Sequence, residues 1–207
     1  MIWEIFIAGG FFYGCFLLWH FNWRGPMQAD EIANMLEILK SNDINKHSDL
    51  TVLHEFMLSD TGKDFCMANF VELAASDVKD PVTGELLAPR KAVEKYTKGI
   101  LPIMLKHGCY PVYQALKVGG HIDSWGSDDK FEFPAIAMMR WRSRRDFMNI
   151  VTDPAFSAAI SFKYQSITRT ISVPTEFKFS TFFRPHIWMP LVILQICCLL
   201  QIIFSLV

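Results

Sequence analysis

Polar and apolar positions along the chain fall into three zones. Residues 5–21 and 187–207 are apolar runs without a charged side chain, and between them the pattern is mixed. About 20 apolar residues at 1.5 Å rise per residue cross a hydrocarbon core of roughly 30 Å. Both runs therefore predict membrane helices. Trp3, Trp19 and Trp23 flank the first run, and His186 and Trp188 sit where the interfacial belt of the second should be. No Lys or Arg precedes the first run, and the sequence from Trp19 to Arg24 is a poor cleavage site. The pattern thus predicts a retained helix rather than a signal peptide.

Between the runs the periodicity alternates. Ile32, Met35, Leu36 and Leu39 recur at helical spacing, and Leu50, Leu53, Phe56 and Met57 mark a second short helix. Residues 41–48 read as a turn. A buried strand is predicted over 65–73, followed by a loop over 77–89 with a turn signal from Asp80 to Gly84. An amphipathic helix over 90–107 is closed by Gly108. Strands are predicted over 110–122 and 133–141, with a polar loop over 123–130 between them. Ser143, with Asp146 three residues on, caps a helix to about 152; Asp153-Pro154 starts another to about 164. A last strand over 167–173 ends at Pro174. The order β-α-β-β-α-β gives a four-stranded antiparallel sheet with both helices on one face. The other face needs cover, from a second copy or from the helices of 30–63.

The expected class is α+β. A transmembrane helix occupies 1–23, a helical connector 24–63, a ferredoxin-like domain 64–176, a linker 177–186 and a second transmembrane helix 187–207. Composition fits this division. The chain of 207 residues is 51% hydrophobic and 20% charged, with mean hydropathy +0.21. All 20 Lys and Arg lie between Arg24 and Arg184, and of the 21 acids only Glu4 lies outside that stretch. A net charge of -1 excludes a nucleic-acid binder driven by bulk charge. Arg24, Lys178 and Arg184 flank the spans on the domain side, which places the domain in the cytoplasm and the chain in the inner membrane.

Chemistry-bearing residues are sparse. Arg140, Arg142, Arg144 and Arg145 cluster at a helix start, where the macrodipole disfavours cations. A partner subunit or a lipid headgroup would offset that, as would local acids such as Asp146. Gly10 and Gly14 form a GxxxG pair that lets another helix approach, and Gln195 and Gln201 would rather face protein than lipid. His20, at a membrane boundary, is a possible pigment or haem contact. Cys15, Cys197 and Cys198 lie in the spans, and Cys66 and Cys109 are isolated. Neither a metal site nor a disulfide framework is indicated, and no cofactor is expected.

The stretches Phe65–Asn69, Asp80–Gly84, Tyr110–Tyr113, Met139–Phe147, Thr152–Pro154 and Arg169-Thr170 resemble DUF1330-like proteins of the dimeric α+β barrel superfamily. The resemblance covers about 65–174. It implies a ferredoxin-like fold whose sheets pair face to face, and it brings no established reaction. Members of the superfamily that handle haem or quinones use a histidine or polar residues in the barrel cleft, which makes Asn69, Gln114 and His121 the cleft candidates. Two functions are expected to compete. One is a non-catalytic accessory or scaffold subunit of a respiratory or photosynthetic membrane complex, touching lipid and other subunits, with a homodimer through the sheet face possible. The alternative is a membrane-anchored, cofactor-independent monooxygenase-like enzyme.

Overall fold

The structure is a computed structural model that describes residues 2–41, 47–126, 133–179 and 184–206. Most of the turn expected over 41–48, part of the loop over 123–130 and part of the linker over 177–186 lie outside the described residues. The chain divides into two units, residues 24–176 and the pair of terminal segments 1–23 and 177–207.

In the first unit, α2 (Ala29–Ser41) and α3 (Leu50–Leu58) precede β1 (Phe65–Leu73). The short strands β2 (Val78–Lys79) and β3 (Leu86–Leu87) follow, then α4 (Pro89–Lys106), β4 (Tyr110–Leu116), β5 (Ala135–Trp141), α5 (Arg144–Val151), α6 (Pro154–Ser166) and β6 (Ile167–Thr175). The main sheet runs β4-β5-β1-β6, every neighbouring pair antiparallel. The fold is α+β.

Local chemistry sets the element ends. Asp49 caps α3 by accepting the Thr51 N–H at 2.8 Å, and Asp153 caps α6 by accepting that of Ala155 at 2.7 Å. Pro89 and Pro154 occupy first helical positions, where a missing N–H costs nothing. The loop expected over 77–89 contains a small hairpin, because Asp80 accepts the Val82 and Thr83 N–H groups and its backbone pairs with Glu85. β4 is shorter than expected. Its ladder with β5 ends at the Leu116–Ala135 pair, and Pro134, which has no N–H, accepts from Lys117 instead. Conversely, β6 continues through Pro174, which an edge strand tolerates.

Phe65, Met67, Met139 and Trp141 turn one sheet face toward Ile103, Met104, Met148, Ile150 and Ile160 of the helices. Met27, Ile32, Met35, Leu39 and Met57 join this same core, so the 24–63 segment thickens the helical side. The opposite face presents two apolar rungs that each cross all four strands. One is Tyr113–Met138–Ala68–Val173 and the other Ala115–Ile136–Phe70–Ile171. Tyr113, Ile171 and Val173 remain 45%, 46% and 42% exposed.

In the second unit, α1 (Ile2–His20) packs against α7 (Pro185–Leu206). Among the described residues, α7 is the one helix long and apolar enough to cross a membrane. The expectation of two such helices is met only at the C-terminal end; α1 carries Glu4 in its first turn and His20 in its last.

Candidate functional site

The four clustered arginines sit at the junction of β5 and α5, and each is engaged within the domain. Arg140 is 1% exposed; its Nε donates to Asp64 at 2.9 Å, one terminal nitrogen donates to the Gly108 carbonyl at 2.9 Å, and its guanidinium lies 5.3 Å from the Tyr110 ring centre. Arg142 grips both oxygens of Asp146, at 2.8 and 2.6 Å. Arg144 donates to the Phe56 carbonyl and to Ser59 Oγ, faces Asp60 at 3.8 Å and stacks on the Phe56 ring. Arg145 donates to both oxygens of Glu31, at 3.0 and 2.8 Å, and to the Gly25 and Pro26 carbonyls at 2.9 and 2.8 Å.

Asp146 is the centre of this network. It also accepts from Ser143 Oγ at 2.6 Å and faces His107 Nδ1 at 3.2 Å, while its own N–H is capped by Ser143 Oγ at 3.1 Å. Burial alone would raise its pKa, but the bonds from Arg142 and Ser143 outweigh that and hold the carboxyl below its ordinary value. Glu31 is held down at about 2, first by the Arg145 bond and then by the Gln28 N–H. The chemistry here is bidentate ion pairing between distant segments.

The cleft candidates occupy different settings. Asn69 and Gln114 share one rung on the helix-side face, Gln114–Ala137–Asn69–Ser172. Asn69 Nδ2 donates to the Met67 and Ala137 carbonyls at 3.1 Å each, and its oxygen accepts from Ser172 Oγ at 2.8 Å. Gln114 is exposed, and His121 is exposed in the segment after β4. Burial pushes the Cys66 thiol up to about 11 and that of Cys109 to about 12, which keeps both protonated and poor nucleophiles.

In the paired helices, the close approach uses Gly9. A Cβ there would lie 2.6 Å from Cys197 Sγ and 3.1 Å from Ile193 Cγ2, whereas one at Gly10 or Gly14 would meet nothing within 4 Å. Gln195 is exposed and Gln201 half-buried. The buried His20 meets His186, Nε2 to Nδ1 at 3.2 Å, and the Tyr13 hydroxyl donates to the His186 carbonyl at 2.9 Å. Replacing Gly9 by Leu is expected to separate α1 from α7. Amide exchange along both helices in detergent should rise, and unchanged exchange would contradict the packing.

No family model matches the chain, and no curated protein matches it in sequence. Two solved structures do match. One is a protein of unknown function from Rhodopseudomonas palustris: 15% identity, TM-score 0.53, covering 63% of this chain and 94% of that one. The other is the methylated form of that protein, at 16% identity and TM-score 0.52, covering 61% of this chain and 89% of that one. What is shared is an α+β fold.

The sequence alone pointed to the arginines, to Asp146 as a local partner and to His20, and missed the distant partners. Asp64, Glu31 and His186 lie 76, 114 and 166 residues away along the chain from the side chains they meet. A count of charges gives no signal for such pairs. The near balance of 20 basic and 21 acidic side chains was the one available hint. Among the described residues no group of three or more His, Cys, Asp or Glu could hold a metal ion.

Proposed function

We propose that this chain is a membrane-held, non-catalytic interaction subunit that stabilises a larger membrane assembly. In this reading α1 and α7 both serve as anchors, and a ferredoxin-like domain related to the DUF1330-like proteins pairs with a second copy through its open sheet face. The observation that carries it is the pair of apolar rungs spanning four strands on that face, without a helix from the described residues laid over them. Contiguous exposed apolar surface of this kind marks an interaction site, and a stable pair needs about 800 Å² from each partner. Outward-facing Ile7, Phe11, Phe12, Leu191 and Ile196 on the paired helices fit a lipid or subunit environment. Arg24, Lys178 and Arg184 favour a cytoplasmic domain. The arginine cluster, engaged within the fold, serves rigidity more than headgroup binding in this reading. The oxygenase-like alternative has less behind it, since Asn69 is tied into the ladder and Gln114 and His121 are exposed.

The test is native mass spectrometry of the full chain in mild detergent at about 10 µM. A dimer is expected for the natural sequence, and a monomer of unchanged thermal stability for Met138→Lys and for Val173→Lys. A monomeric natural chain, or a dimer that survives both substitutions, would contradict pairing through this face. Gentle solubilisation of native membranes should recover the chain with other subunits; recovery as a bare homodimer would contradict the larger assembly.

A further inference from the structure

Among the described residues, the half-buried Lys163 of α6 has no carboxylate facing it. On α6, Phe156, Ala159, Ile160 and Lys163 recur at helical spacing, and the first three are buried in the core. α4 and α6 approach most closely at Gly99, where a Cβ would lie 2.9 Å from that of Ala159. One turn beyond this contact the two helices carry Tyr96 and Lys163. The Lys163 ammonium stands 5.9 Å from the Tyr96 ring centre, and the Tyr96 ring meets that of Phe156 edge-on at 6.5 Å. Tyr164 packs against the same core.

Lys163 is half-buried, and among the described residues its ammonium makes neither an ion pair nor a hydrogen bond. The contrast is with Arg140, Arg142, Arg144 and Arg145, each facing a carboxylate, and with Lys95, which holds Asp80. The Tyr96 hydroxyl also lacks a hydrogen-bond partner among the described residues. Burial pushes the Lys163 amine down and the Tyr96 and Tyr164 phenols up, so both phenols stay protonated and able to donate. The last turn of α6 favours a cation through its dipole, but a dipole is a weak substitute for a localised counter-charge. A desolvated ammonium beside aromatic rings is offset most fully by an anion that brings its own apolar body.

We propose that Lys163 and Tyr96, at the end of the α4–α6 contact, form a binding site for a small organic carboxylate. The ammonium supplies the counter-charge, the phenol a hydrogen bond, and the rings of Phe156 and Tyr164 an apolar wall. The site is independent of the pairing face, so its failure would leave the dimer untouched.

The test uses the full chain in detergent with 4-fluorobenzoate as probe, followed by fluorine NMR, with acetate and inorganic phosphate as competitors. Saturable one-to-one binding tighter than about 10 mM is expected. Lys163→Met should weaken it roughly tenfold or more, and Tyr96→Phe by a few-fold. Acetate should compete weakly and phosphate not at all. Absence of saturable binding, equal binding by Lys163→Met, or displacement by phosphate as effective as by benzoate would overturn the proposal. Should Lys163→Met fail to fold, reductive methylation of the natural chain decides the matter. Benzoate must slow methylation of Lys163 relative to the exposed Lys98, and equal rates would overturn the site.

Discussion

Replacing Asp146 by Ala is expected to cost about 3–5 kcal/mol of stability, because it removes one partner of a buried ion pair and leaves the rest behind. Asp146 is 3% exposed and serves three groups at once: the Arg142 fork, the Ser143 hydroxyl and the His107 ring. The value belongs at the lower end of the range, because the Arg142 side chain is 22% exposed and can turn toward water once released. Ser143, fully buried, has no such freedom, whereas the His107 side chain, also 22% exposed, shares it. For a chain of this size the loss corresponds to a fall of roughly 6–12 °C in the melting temperature of the domain. Asp146→Asn keeps a carbonyl oxygen for Ser143 and should cost about half as much. Thermal unfolding of the full chain in detergent measures both. A shift of about 1 °C or less for Asp146→Ala would mean that the network is ornamental.

That residue illustrates where sequence reasoning succeeds and where it stops. Ser143 followed three residues later by an acid is a local signal, and the Ser143 hydroxyl does accept the Asp146 N–H. Asp153-Pro154 marked the start of α6 and Gly108 the end of α4 in the same way, because the geometry of a helix end involves only its own few residues. The strand order is also legible, since antiparallel pairing with two crossovers allows few arrangements. Registers across the sheet are a different matter. Nothing local says that Asn69 shares a rung with Gln114, nor that the rung between them holds only Ala137. Arg140 shows the cost of this blindness. In a strand that reads as apolar its charge looks like a surface feature, yet Asp64 and the Gly108 carbonyl, supplied by two other loops, let it be buried completely. The contact between α1 and α7 is hidden for a related reason. Which side of α1 meets α7 depends on helix rotation, and that rotation places Gly9, not Gly10 or Gly14, against Cys197.

Arg145→Ala is expected to have an effect of similar size, about 3–5 kcal/mol, and in addition to change how the domain responds to acid. Arg145 is 6% exposed and ties α5 to the segment from Gly25 to Glu31 through four bonds. Without it the Gly25 and Pro26 carbonyls lose this donor and the Glu31 carboxylate is left with Arg24 and the Gln28 N–H, so amide exchange over residues 25–32 should rise well before the rest of the domain opens. Arg145→Lys should recover only part, because a single ammonium cannot span Glu31 and both carbonyls. The acid response follows from the carboxylates. Glu31 and Asp80 are each held at about 2 in the folded chain, Glu31 by Arg145 and then Gln28, Asp80 by Lys95 and then Val82. Folded-state values below the unfolded ones give stability that is complete above the unfolded pKa, near 4–4.5, and lost as pH falls toward 2. The natural chain should therefore lose stability steeply between about pH 4.5 and 2. In Arg145→Ala the Glu31 carboxyl rises toward its ordinary range but stays held by the Gln28 N–H and Arg24, so that part of the slope shrinks while the Asp80 part remains. A double-mutant cycle with Glu31→Gln isolates the pair, with a coupling of about 1–3 kcal/mol expected at pH 7 and close to none at pH 2. Equal coupling at both values would show that Arg145 acts through the Gly25 and Pro26 carbonyls alone.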